Sequence, residues 1–202
     1  MISITTETDM WGVQFLIFTV SLPNREPVFM SMEVSDYKRK HSGIVLVDSE
    51  KFLQLWRDDP YEAHADVAFG NPDTWPSDYK YAHAAKGFSY GYQNPVPLAE
   101  ISHGLGNRTV RTYKFLWFGK TERKELVPYV SFTNGITRTI WLLSQGCKAF
   151  PVDCDLRYAR ELHRHAGLAG TGFYTLDEMT KIAPEPDSGE MLFTTQRRSE
   201  TV

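Results

Sequence analysis

Residues 133–139 read Thr-Asn-Gly-Ile-Thr-Arg-Thr and bring together the donor types that hold a phosphate. Asn134–Gly135 is a turn dipeptide that lets backbone approach a ligand closely. The segment after it, ITRTIWLLSQ, reads as a short apolar helix stopped by Gly146. A helix start directs free backbone N–H groups and the positive end of its dipole outwards, which makes an anion site. Arg138 falls in the first turn, where the dipole disfavours a cation. A phosphate lying between helix and guanidinium resolves the conflict, with Arg138 forking onto it and Thr133, Thr137 and Thr139 adding hydroxyl donors. On spacing alone the alternative is an ion pair between Arg138 and Asp153 or Asp155.

Those two aspartates raise a second chemistry. Cys154 separates them, so strand alternation puts both carboxylates on one face. Cutting a phosphodiester calls for carboxylates that hold a divalent cation, Mg2+ or Mn2+, beside the developing charge. Glu100 can join them from a neighbouring strand. The alternative is that Asp153 and Asp155 end the strand and one caps the next helix. That helix, RYARELHRH, carries Arg157, Arg160 and Arg164, either a DNA-backbone contact or a solvated face.

Charge distribution bears on the partner. The chain of 202 residues has net charge -3, which argues against a general nucleic-acid glue. Residues 103–165, however, hold 11 basic against 5 acidic residues, while residues 1–102 hold 8 against 14. A basic segment inside an acidic protein suits a phosphate-bearing partner at one place. HGLGNR (103–108) is a Gly-rich stretch read as a turn. FGKT (118–121) is not a P-loop, because position 114 is Lys where that motif needs Gly.

The elements that must position these residues follow from pattern. WGVQFLIFTVSL and PVFMSMEV read as strands, KRKHSG as a polar link, IVLVD as a short apolar strand, and SEKFLQLWRDD as a helix capped by Ser49. Residues 60–95 are rich in Pro, Gly and aromatics and read as a long ordered loop with short helical pieces. VPLAEI and TVRTYKFLWFG read as two strands, KTERKE as a turn, LVPYVSF as the strand before Asn134, and AFPVDCD as the strand after the helix. In the motif helix Ile140, Leu143 and Cys147 are expected to face the sheet, and Trp141 a neighbouring helix or loop. TLDEMTKIA is a last helix capped by Thr175. The whole reads as one α/β domain over 1–185, with a loose tail over 186–202. No run approaches the ~20 apolar residues of a membrane span. The N-terminal MISITTETDM has no signal-peptide pattern, and Cys147 and Cys154 read as core thiols, so a cytoplasmic protein is expected.

The pattern NGxxRxxxLxxxGxxxxPV, matched by Asn134, Gly135, Arg138, Gly146, Pro151 and Val152, resembles the signature of the ParB/sulfiredoxin superfamily. The fuller stretches NPVPLAEI and NGITRTIWLLSQGCKAFPVDC resemble the plasmid fertility inhibition factors within it, over roughly residues 44–155. The resemblance implies a ParB/sulfiredoxin-like mixed sheet with flanking helices and a β-rich N-terminal extension. It also implies binding and hydrolysis of a nucleoside triphosphate such as ATP, DNase activity, and suppression of DNA transfer at the coupling component of a type IV secretion system. Three departures narrow this. Thr137 stands where the superfamily has His, and Thr is no general acid or base near neutral pH. The turn lacks the cysteine of sulfiredoxins, so sulfinic-acid repair is not expected. Too few residues follow 155 for a segregation-type helix-turn-helix domain. A non-enzymatic module that blocks a transfer component by contact is the competing expectation.

Overall fold

The computed structural model describes residues 2–9, 11–113 and 120–183. Three N-terminal strands, β1 (Ile2–Thr8), β2 (Gln14–Leu22) and β3 (Arg25–Glu33), form an antiparallel meander. Asn24 turns β2 into β3 with φ +58°, a left-handed value that Asn tolerates. A two-residue strand, β5 (Val96–Pro97), runs parallel to β3 and completes a sheet of order β1-β2-β3-β5. This is the expected β-rich extension.

The second sheet has order β7-β6-β8-β4-β9. Its interior strand β4 (Ser42–Asp48) is antiparallel to both β8 (Ala149–Asp155) and β9 (Phe173–Thr175). Covered on both faces, β4 is a continuous apolar run in which Ile44, Val45 and Val47 are fully buried. Parallel pairing of β6 (Ala99–Tyr113) with β8 makes the sheet mixed. Helices α1 (Asp36–His41), α2 (Ser49–Arg57), α5 (Ile136–Ser144), α6 (Leu156–Ala166) and α7 (Leu176–Ile182) flank it. The N-cap of α2 is Asp48 rather than Ser49: its carboxylate accepts from the amides of Glu50 and Lys51, while Ser49 is buried. Thr175 caps α7 in a reciprocal box with Glu178. Residues 60–95 hold α3 (Ala65–Ala68), α4 (Tyr81–Ser89) and single 3-10 turns, as their composition suggested.

Residues 99–134 differ from expectation. VPLAEI does not end at residue 101, since its last three residues open β6, which runs unbroken to Tyr113. KTERKE is no turn but the start of β7 (Lys120–Asn134), and each of its six residues pairs with one of β6. HGLGNR lies within the strand. Its glycines are there because neighbours press on the backbone: a Cβ on Gly106 would sit 2.3 Å from Pro60 Cγ, and one on Gly104 3.1 Å from the Tyr129 ring. Residues 118 and 119 of FGKT, and the tail expected over 186–202, lie outside the described residues.

Aromatic packing joins the layers. Phe52 of α2 meets Phe150 of β8 and Phe132 of β7 edge-on at 5.4 and 5.8 Å. Trp141 of α5 stacks on Phe88 of α4 at 4.3 Å, the helix contact expected for it. Ile140 and Cys147 are buried, but Leu142 fills the interior where Leu143 was expected, and Leu143 is only half-buried. No helix among the described residues is long and apolar enough to cross a membrane.

Candidate functional site

The strand before the motif is deformed just where it hands over to α5. Ile101 pairs with Phe132 but Glu100 with Asn134, so Thr133 is an extra residue, a β-bulge that re-aims the end of β7. Gly135 then takes φ +100°, a left-handed value. It also lies so close to β6 that a Cβ would stand 2.8 Å from Ala99 Cα. Glycine is required there twice over, by conformation and by space. As the N-cap of α5, Gly135 offers no side chain to its helix. The first intrahelical bond runs from the Thr139 amide to the Gly135 carbonyl at 3.1 Å, so the amides of residues 136–138 are the open donors of the helix start. At the far end Gly146 and Cys147 donate to Leu143 and Leu142, a Schellman closure.

Arg138 folds back against this turn. Its Nη1 donates to the carbonyls of Pro97 (2.7 Å) and Leu98 (2.8 Å), and its Nε lies 3.2 Å from where a Gly135 Cβ would be. Its partners are these carbonyls rather than Asp153 or Asp155, and the guanidinium clips α5 to the segment that joins the two sheets. Burial lowers its pKa, against the raising influence of Glu100. Nε and Nη2 are not used by these carbonyls. Asn134 is exposed and Thr137 half-buried at the same turn. Thr139 does not belong with them. It is fully buried, and its hydroxyl donates to the Gly135 carbonyl at 3.0 Å.

The two aspartates part company. β8 does run on past Val152, yet Asp155 turns to cap α6, accepting from the Arg157 amide and gripping the Arg157 guanidinium. That guanidinium brings its pKa down to about 2. Asp153 faces inward, with a side chain 6% exposed, and accepts from Lys38 Nζ at 2.5 Å. The same ammonium donates to Glu100 at 2.7 Å. Burial raises the Asp153 pKa and outweighs the opposing pull of Lys38. Burial would lower that of Lys38, but its two carboxylate partners carry it above the usual lysine value. The expected Asp153–Asp155 cation pair is thus replaced by a Lys38–Asp153–Glu100 cluster. No group of three or more metal-ligating side chains occurs among the described residues.

This cluster abuts the turn. Glu100 is opposite Asn134 on one side and beside Asp153 on the other, so Asn134, Glu100 and Asp153 sit on three adjacent strands. Glu100 was visible in the sequence as a neighbour of Asp153. Lys38 was not, because nothing in KRKHSG distinguishes it from its basic neighbours. The N-cap Ser35, which accepts from the Lys38 amide, is the local signal that a helix begins there.

Arg157, Arg160 and Arg164 share the exposed face of α6, and each already has a neighbour: Asp155, the Phe173 ring at 5.2 Å, and Glu161. On the inner side of α6, His165 Nδ1 meets His103 Nε2 of β6 at 3.1 Å with the rings stacked. Burial, then the His165 charge, lowers the His103 pKa to about 4.

Comparison with known proteins bears on what this arrangement serves. A family model described as Plasmid Fertility inhibition factor matches residues 44–167, from β4 to the end of α6. The chain belongs to the plasmid fertility inhibition factor family. Protein osa of Shigella flexneri is 28% identical to this fertility inhibition factor over 165 residues, spanning 76% of this chain and 70% of that protein. The fold also matches the crystal structure of the oncogenic suppression activity protein, titled a plasmid fertility inhibition factor, with TM-score 0.63 and 25% identity. That match covers 89% of this chain and 80% of the other. The family span contains the turn, Glu100 and Asp153, while Lys38 lies before it.

Proposed function

We propose that this fertility inhibition factor acts through phosphate chemistry in the cytoplasm. It binds ATP at the Asn134–Arg138 turn, hydrolyses it, and so disables DNA on its way to the coupling component of a type IV secretion system. One observation carries the reading: α5 begins with no side-chain cap, its open amides beside the uncommitted donors of Arg138. Asn134, Gly135, Thr137 and Arg138 form the nucleotide site, and Mg2+ or Mn2+ arrives on the nucleotide's own phosphates. DNA cleavage is part of the same reading, with Arg157, Arg160 and Arg164 as backbone contacts. The test is calorimetric titration with Mg-ATP. Arg138→Ala should weaken binding by about 1.5–3 kcal/mol, the range for hydrogen bonds to a charged group. An unchanged affinity removes the turn from the site.

A second reading has its own support. Arg138 already has two carbonyl partners, and Thr137 stands where the related superfamily has His. A fold that blocks a transfer component by contact alone needs no ATP. It predicts inhibition of conjugation that survives Arg138→Ala.

A further inference from the structure

The Lys38–Asp153–Glu100 cluster is more than a brace between α1 and the sheet. Asp153 is buried and Lys38 half-buried, but the side chain of Glu100 is 42% exposed. One of its oxygens holds Lys38, so the other can meet solvent. Glu100 stands one strand spacing from Asn134, roughly 5 Å, in the register set by the Thr133 bulge. Its charge is felt by Arg138. An exposed carboxylate fixed by a buried ion pair, next to an uncapped helix start, is the arrangement that orients a water for attack on a bound phosphate.

We propose that Glu100 is the general base of the phosphate site and that Lys38 and Asp153 are its positioning residues. The assignment rests on the turn being an ATP site. The oxygen of a water forms a bond to the γ-phosphorus, and the bond from that phosphorus to the β,γ-bridging oxygen breaks. ADP leaves with the electron pair, and Glu100 takes the proton of the water. Arg138 and the open amides of α5 hold the phosphate charge. Lys38 keeps Glu100 aimed. This base occupies a different position from the histidine whose place Thr137 takes.

Steady-state ATP hydrolysis and ATP affinity, measured on the full chain with Mg2+, test it. Glu100→Gln keeps the shape and removes the base, so kcat should fall by about 10²–10⁴-fold with affinity held within about twofold. Lys38→Met, which frees Glu100 to wander, should lower kcat by up to ~10²-fold at similar affinity. Lys38→Arg, which retains a cation between the carboxylates, should recover part of that loss. Unchanged ATP affinity in each variant shows that the fold and turn are intact. If the wild type hydrolyses ATP and Glu100→Gln does so equally fast, Glu100 is not the base. A wild type that binds ATP without turnover overturns the assignment too. If the wild type binds no ATP, the phosphate-site reading fails and this inference falls with it.

Discussion

Replacing Lys38 with Met should cost this protein about 3 kcal/mol of stability. The substitution removes an ammonium 2.5 Å from a carboxylate only 6% exposed, and 2.7 Å from a second that water reaches. At an effective dielectric of ~20, unit charges ~3 Å apart attract by roughly 5–6 kcal/mol. Desolvation of both groups offsets part of that. Removing one partner alone leaves the other charge buried, a change that typically costs about 3–5 kcal/mol. Lys38 is itself 24% exposed, so water can partly replace it, and the low end of the range applies. For a chain of this size the melting temperature should drop by roughly 6–12 °C.

The loss should also depend on pH. Burial already raises the Asp153 pKa, and losing Lys38 raises it further. A carboxyl whose folded pKa lies above its unfolded value binds more protons in the native state. Stability then falls as pH rises between the two values and recovers on acidification. Lys38→Met should therefore be less destabilising at pH 5 than at pH 8. The double variant with Asp153→Leu, which leaves no buried charge, should return most of the loss. Urea denaturation followed by circular dichroism reads all three proteins. A Lys38→Met cost under about 0.5 kcal/mol, or a double variant no better than the single one, refutes the ion pair as the anchor of α1.

Three further outcomes follow from the geometry. Gly135→Ala puts a Cβ 2.8 Å from Ala99 Cα at φ +100°, so it should destabilise by at least about 1–2 kcal/mol and abolish nucleotide binding, measured by melting and titration. Asp155→Ala removes the α6 cap and should cost about 1 kcal/mol, yet leave any ATP hydrolysis and plasmid nicking intact; lost nicking at wild-type stability would restore Asp155 as a metal ligand. His103, with a pKa lowered to about 4, binds fewer protons folded than unfolded, so its contribution is present above about 6.5 and is lost as pH falls towards 4. A His103→Phe variant should show a flatter melting temperature across that interval.

Local patterns were readable where local chemistry decides the structure. The Asn134–Gly135 turn, α5 with its Gly146 stop, the run of β8 through Asp155 and the Thr175 cap all follow from residues within one or two turns of each other. The β6–β7 ribbon was misread because Gly104, Gly106 and the polar KTERKE carry turn composition. They are strand residues only because Pro60, Tyr129 and the partner strand are pressed against them, which no local window contains. The site divides along the same line. Arg138 and Gly135 were visible from spacing. The cationic partner of Asp153 was not, since Lys38 lies 115 positions away and meets it only across a finished sheet. Asp155 carried the right residue type for either metal binding or capping, and the free amides of α6 claimed it.

The interior place of β4, between β8 and β9, has a consequence for how the chain is made. Its two neighbours are residues 149–155 and 173–175, so Gly43–Val47 emerges from the ribosome more than 100 residues before either partner exists. At ~5–20 residues per second that is roughly 5–20 s in which GIVLV, the most apolar strand of the sheet, has nowhere to pair. Such a segment invites association with other nascent chains. Lys38, Arg39, Lys40 and His41 precede it and Asp48 and Glu50 follow it, a charged collar on both sides. During synthesis, then, the lysine that later clamps the carboxylates serves first as a guard on a strand waiting for its partners.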